Sequence, residues 1–206
     1  MLNFDDKMKQ GGNTALEEAS NFFMRNDSVH QTLGGITAKL EELGIPYAVA
    51  GGMALVAHGY DRTTVDVDIL LTSEGLTKTH QQLDGLGYLP PFPNSKNLRD
   101  TRTGVRIEFL VSGQYPGDGK SKPVAFPDPA TAAVEIGGIK YLRLEKLIEL
   151  KLASGMTNPG RLKDLADVQE LIRVLKLGTD FQTRLDPYVQ PKFQELLTGV
   201  EADPAE

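Results

Sequence analysis

The chain has 206 residues, of which 40% are apolar and 24% charged, with a formal charge of −6. That is enough to bury the core of one domain, or of a domain with a small appendage. Cysteine is absent, which excludes a disulfide framework and a thiolate zinc site, and no apolar run is long enough to cross a bilayer.

The opening MLNFDDKMKQGGN lacks the hydrophobic stretch of a signal peptide, so a cytoplasmic location is expected. Charge is uneven. Lys96 to Lys163 holds 12 basic and 7 acidic residues, against 10 and 21 in the remainder. A basic middle suits a polyanion or a nucleoside triphosphate; the alternative is scattered solvated charge.

Residues 1–27 are expected to form a polar lead-in with a short helix over Thr14–Met24. Ser28 is the expected N-cap of a helix carrying Val29, Leu33, Ile36, Leu40 and Leu43 on one face, stopped by Gly44. A strand should run from Pro46 to Ala50, a short helix from Gly52 to Gly59, and a second strand from Thr64 to Leu71. Ser73 should cap a helix whose Leu76, Leu83 and Leu86 share a face before Gly87.

Extended segments at Leu98–Arg102 and Val105–Val111 should form a hairpin about Thr103-Gly104. Gln114–Pro129 reads as a loop with a short strand near Pro123–Phe126, and Thr131–Leu142 as two extended pieces around Gly137-Gly138. Beyond lie helices over Leu144–Ser154 and Arg161–Leu177, segments around Phe181 and Lys192–Leu197, and a frayed tail from Ala202. The domain division expected is 1–27 lead-in, 28–142 core and 143–201 helical region. The fold class expected is α+β (mixed α/β), a small mixed sheet flanked by helices with a helical C-terminal part.

The chemistry concentrates in YAVAGGMALVAHGYDRTTVDVDILL, Tyr47 to Leu71. Alternation along a strand sends Val65, Val67 and Ile69 to the core and Asp66 and Asp68 together to the other face. Carboxylates roughly 6–7 Å apart along a strand can share one or two divalent cations. Gly51-Gly52 at a helix start offers bare backbone N–H groups to a phosphate, or is simply a tight turn. A metal pair wants a third acid, and Glu108 in Val105-Arg-Ile-Glu-Phe-Leu110 is the candidate. It follows Asp68 by 40 residues, room for a helix and a return strand. The plainer reading is an exposed glutamate opposite Arg99 or Arg102.

The order Gly51-Gly52, Asp66-Val-Asp68, Glu108 resembles the nucleotidyltransferase superfamily built on the DNA-polymerase-β-like fold. More narrowly, Gly59-Tyr-Asp-Arg62-Thr-Thr64-Val-Asp66-Val-Asp68 resembles the AbiEii-like abortive-infection toxin nucleotidyltransferases, which carry an Arg and a Thr just ahead of the acids. Leu150-Lys151-Leu-Ala-Ser and Arg161-Leu-Lys163-Asp164-Leu-Ala-Asp167 fit the same group, and the likeness spans about Leu40 to Leu175.

It implies that Asp66, Asp68 and Glu108 bind two Mg2+ ions and carry catalysis, while Gly51 and Gly52 admit the triphosphate. It implies a phosphate contact for Lys151, a hold on phosphate or on the acid strand for Arg62, and a nucleotide or acceptor wall of Lys163, Asp164 and Asp167. The implied activity is transfer of NMP from an NTP to an acceptor hydroxyl on tRNA or protein, as in a toxin with an antitoxin partner. An aminoglycoside-type acceptor and a catalytically inactive binding module are the alternatives. Met53 stands where many members have Ser, and Glu108 where Asp is commoner.

Each remaining position also has a plain reading. His58 is a helix-end residue, and Tyr47 and Tyr141 are core. Lys151 can snorkel to the surface. Asp164 and Asp167 can be solvated helix charges paired with Arg161 and Lys163.

Overall fold

The computed structural model describes Asn21 and residues 27–202. The expected lead-in 1–13, the helix Thr14–Met24 apart from Asn21, and tail positions 203–206 lie outside the described residues. In chain order the elements are α1 (Ser28–Glu42), β1 (Ala48–Val49), α2 (Gly51–Ala57), β2 (Asp66–Leu71), α3 (Ser73–Leu83), β3 (Tyr88–Leu89), β4 (Leu98–Asp100) and β5 (Arg106–Val111). There follow α4 (Pro129–Ala132), β6 (Ala133–Ile136), β7 (Ile139–Leu142), α5 (Leu144–Thr157), a 3-10 turn (Pro159–Arg161), α6 (Leu162–Leu175), α7 (Thr179–Gln182) and α8 (Gln190–Ala202). Among the described residues this is a mixed seven-stranded sheet with eight α-helices, the α+β class expected.

The sheet runs β3-β4-β5-β2-β1-β7-β6. Its centre is the parallel pair β2/β5, with β1 antiparallel to β2 and parallel to β7. Hydrophobic alternation drives this. Val67 and Ile69 of β2, Ile107 and Phe109 of β5, and Leu98 of β4 are fully buried, in one cluster with Val29, Leu33, Ile36 and Leu40 of α1. That cluster continues through Leu147, Ile148 and Leu152 of α5, Val168 and Leu171 of α6 and Phe193 of α8, so the helical part shares the core of the sheet. Tyr47 and Tyr141 are buried in it, as expected.

Several boundaries differ from expectation, each for a local reason. The N-cap of α1 is Asp27, not Ser28: its carboxylate accepts from the N–H groups of Val29 (2.7 Å) and His30 (3.2 Å). Likewise Thr72, not Ser73, caps α3 by accepting from Gly75 N–H (3.0 Å). In both cases the cap is the last residue with extended backbone, which lets its side chain reach back to the first turn. Helix α3 stops at Leu83 because Asp84 is extended, and Leu86 is left 74% exposed. Val65 precedes β2 and is 46% exposed rather than core, since strand alternation begins only where pairing begins, at Asp66.

The short edge strand β3 was not expected. The strand expected near Pro123–Phe126 is absent; instead Phe126 exchanges backbone hydrogen bonds with Gly113 (2.9 Å) and Gln114 (2.8 Å), closing the long loop at its base. Ala202, where a frayed tail was expected to begin, is instead the last residue of α8. No helix among the described residues is long and apolar enough to cross a membrane.

Candidate functional site

The parallel register of β2 and β5 pairs Asp66 with Arg106 and Asp68 with Glu108. Neighbouring strands lie about 4.8 Å apart and paired residues share a face, so the third acid proposed from sequence stands directly beside the first two. Their side chains nevertheless do not converge. Glu108 forms an ion pair with Arg106 on its own strand, and among the described residues no three His, Cys, Asp or Glu side chains are grouped to hold a metal ion. Residues two apart on one strand face are neighbours, and a guanidinium is a ready bidentate partner for a carboxylate. Arg99, one of the partners considered for Glu108, lies instead across from Arg106 in the β4/β5 register.

The two glycines have a structural task. Ala50 N–H donates to the Asp68 carbonyl (2.9 Å), which holds the start of α2 against β2. Gly51 has φ +55°, and a Cβ there would lie 2.6 Å from Asp68 Cγ. A Cβ on Gly52 would lie 2.6 Å from Thr64 Cβ. Both glycines therefore admit side chains from the acid strand and its lead-in. Thr64 uses that room: its hydroxyl donates to Asp66 Oδ1 (3.0 Å). Burial pushes the Asp68 carboxyl up to about 7, helped by the negative charge of Asp66; Lys151 and Arg161 oppose this.

Opposite the acids, α5 and α6 are joined by ion pairs. Lys151 Nζ donates to Asp164 Oδ1 (2.9 Å) and Asp167 Oδ2 (2.7 Å), Ser154 Oγ to Asp164 Oδ2 (2.7 Å), and Arg62 to Asp167 Oδ1 (2.7 Å). Lys151 is thus a buried link, not a snorkelling surface lysine. Asp164 and Asp167 are partnered by Lys151 and Arg62, not by the expected Arg161 and Lys163. Substituting Lys151 with Met should leave Asp164 without its cation and lower stability by about 3 kcal/mol, read from the midpoint of urea unfolding at constant slope. Unchanged stability would mean that the pair is idle.

All these groups line one cavity of about 580 Å3, bounded also by Pro116 and Gly117 of the long loop and by Phe126, Leu142, Leu147 and Leu150. Every site residue expected from sequence is there: Gly51, Gly52, Arg62, Asp66, Asp68, Glu108, Lys151, Lys163 and Asp164. His58 is elsewhere, ending α2 with its ring Nε2 2.8 Å from the Leu142 carbonyl, the helix-end role expected. Arg106, Ser154 and Arg161 were not singled out as site residues. The pairing of Arg106 with Glu108 was readable from their i, i+2 spacing; the other two reach the cavity only through packing of α5 on α6. The internal pairs leave two carboxylates, Asp66 and Asp68, on one side. On the other they leave two cations, Arg161 and Lys163, with no acidic partner among the described residues.

No protein-family model matches the chain, and no curated protein matches it. Solved structures do. The crystal structure of ANT(2'')-Ia in complex with adenylyl-2''-tobramycin aligns at a TM-score of 0.51, covering 85% of this chain and 98% of that one at 14% identity. The solution structure of ANT(2'')-Ia, an antibiotic-resistance factor, aligns at 0.50 over 80% and 90%, again at 14% identity. The chain has the nucleotidyltransferase fold. A lincosamide antibiotic adenylyltransferase, LnuA, aligns at 0.46 over 70% of this chain and 96% of that one, at 17% identity. In this nucleotidyltransferase fold the acid strand β2 and the helical pair α5/α6 form the two walls of the cavity just described.

Proposed function

We propose that the chain is an Mg2+-dependent nucleotidyltransferase that moves NMP from an NTP to an acceptor hydroxyl. The observation that carries this is the sorting of unpaired charge across one cavity: Asp66 and Asp68 on the sheet, Arg161 and Lys163 on the helices. A metal–triphosphate complex presents the complementary pattern, cationic at the ion and anionic along the phosphates.

The residues fit a divalent cation by the chemistry of their donors. Asp66 and Asp68 share a strand face, and Asp68 is held up near pH 7 by burial and by its neighbour's charge, a repulsion that a dication would relieve. Glu108, in register with Asp68, would join them by leaving Arg106. When bound, Mg2+ supplies Lewis-acid neutralisation of phosphate charge. The chain itself supplies position and charge. Gly51 and Gly52 give Asp68 and Thr64 room, and Thr64 orients Asp66. Lys163 and Asp164 stand on the helical wall of the nucleotide pocket, and Lys151 and Arg62 brace that wall through Asp164 and Asp167.

In the transfer the acceptor oxygen bonds to the α-phosphorus and the bond to the β-phosphate oxygen breaks. Pyrophosphate leaves with that electron pair, and the acceptor proton passes to a nearby carboxylate. The acceptor we propose is tRNA or protein, in the manner of an AbiEii-like toxin with an antitoxin partner, acting in the cytoplasm. The basic stretch Lys96–Lys163 supports a polyanionic acceptor. A polycationic aminoglycoside is less favoured, because Asp164 and Asp167 of the helical wall are already neutralised by Lys151 and Arg62. The second reading, a binding module without turnover, is favoured by the Glu108–Arg106 pair.

Calorimetric titration with each of the four NTPs in Mg2+, on wild type and on Asp66→Ala/Asp68→Ala, tests the proposal. Metal-dependent binding lost in the double variant supports it and identifies the base. Absence of binding to all four by the wild type would sink it. Transfer of label from the NTP that binds to total tRNA or protein then separates enzyme from binding module.

A further inference from the structure

Within the nucleotide site just proposed, we infer that Arg161 and Lys163 grip the triphosphate, and that Lys151 holds the helical wall together and makes no phosphate contact. Lys151 and Arg62 carry two positive charges, and Asp164 and Asp167 two negative ones, in one partly buried network at 2.7–2.9 Å. The network is neutral as it stands. Drawing Lys151 to a phosphate would leave two low-exposure carboxylates facing one guanidinium, the arrangement that breaking a buried ion pair makes costly. Ser154 closes the remaining side of Asp164 (2.7 Å), so the ammonium cannot be replaced there by a nearby donor without rearrangement.

Arg161 and Lys163 are in the opposite position. Both line the same cavity, both side chains lie on its exposed rim, and neither has an acidic partner among the described residues. Swinging either onto a phosphate breaks no ion pair. They sit at positions i and i+2 where the 3-10 turn passes into α6, on a segment anchored by the Asp164 and Asp167 links. Arg161 lines the same cavity as Asp66 and Asp68 of the acid strand. A guanidinium contributes a planar fork and an ammonium a point charge, a pair well matched to adjacent phosphate groups.

The test measures calorimetric binding of pyrophosphate and of ATP, GTP, CTP and UTP, all with Mg2+, to wild type, Arg161→Gln/Lys163→Gln and Lys151→Met. The double rim variant should bind pyrophosphate and the NTP preferred by wild type about a hundredfold more weakly, roughly tenfold per cation, with an unchanged melting temperature. Lys151→Met should melt earlier yet bind pyrophosphate within about threefold of wild type below its transition. If that variant does not fold, Lys151→Arg, which keeps the charge, should bind within the same range. Wild-type affinity in the double rim variant, or a Lys151 variant that loses binding while folded, overturns the inference. If wild type binds pyrophosphate through the rim cations but no NTP, the grip stands and the nucleotide reading falls; if it binds neither, both fall.

Discussion

Asp68→Asn should lower NMP transfer by about a thousandfold, roughly 4 kcal/mol of activation free energy, and at the same time stabilise the metal-free protein at neutral and alkaline pH. Both effects come from one carboxylate. As a donor it faces the cavity beside Asp66, in register with Glu108, and asparagine offers a metal ion a neutral oxygen in place of a charged one. As a folded-state group it has its pKa raised from the ordinary 3.8 to about 7 by burial and by Asp66.

The folded protein therefore holds this proton more tightly than the unfolded chain. Between about pH 4 and pH 7 the folded state binds more protons, stability falls as pH rises through that window, and the loss is complete above it. Asparagine carries no such proton, so the variant should match wild type near pH 4 and exceed it by pH 8. The full difference between the two pKa values is worth about 4 kcal/mol; access of solvent to the cavity reduces it to roughly 2 kcal/mol. Thermal melts at pH 4.5 and 8, with and without Mg2+, together with labelled-NTP transfer, measure both halves. Added Mg2+ should stabilise wild type and leave the variant nearly unmoved. A variant that melts below wild type at pH 8 would show that Asp68 is structurally supportive in its charged form, contrary to the geometry.

Gly51→Ala should destabilise the protein by about 3 kcal/mol, a fall of roughly 6–12 °C in melting temperature for a chain of this size. Two costs combine. The residue has φ +55°, where an L side chain costs on the order of 1–2 kcal/mol. Its new Cβ would also sit 2.6 Å from Asp68 Cγ and 3.0 Å from Asp68 Cβ, groups held by the strand and unable to recede. The second cost is specific to Asp68, so it should shrink when that side chain is shortened. In a double-mutant cycle with Asp68→Ala the penalty of Gly51→Ala should drop by about 1–2 kcal/mol. A penalty that is the same in both backgrounds would place the whole effect in the backbone and remove the close approach from the argument.

Legibility in the sequence followed the range of the forces involved. Strand alternation was enough to put Asp66 and Asp68 on one face, because the period of two is a property of the backbone itself. It failed at Val65, where the strand has not yet begun. The hairpin about Thr103-Gly104 and the turn at Gly137-Gly138 were readable from local turn chemistry, and β1 falls inside the strand expected over Pro46 to Ala50. The two-residue β3 was not readable, because so few pairings leave no periodicity. Leu86 was placed on a helix face because the helical spacing continues past Leu83, while the chain turns out through Asp84 and Gly85, which has φ +78°.

The sequence alone determined the chemical inventory of the site: an acid pair on a strand, a glycine pair before it, a third acid 40 residues later, and a lysine and an acidic helix beyond. The tertiary structure decided who partners whom. Parallel pairing of β2 with β5 brought Glu108 beside Asp68, and the same strand gave Glu108 to Arg106. Packing of α5 on α6 enclosed Lys151 between Asp164 and Asp167 and left Arg161 and Lys163 facing the acids. Ion pairing depends on distances of a few ångströms between residues as far apart in the chain as Arg62 and Asp167, 105 positions. Periodicity constrains which face a side chain takes on its own element, but not which charge on another element will meet it.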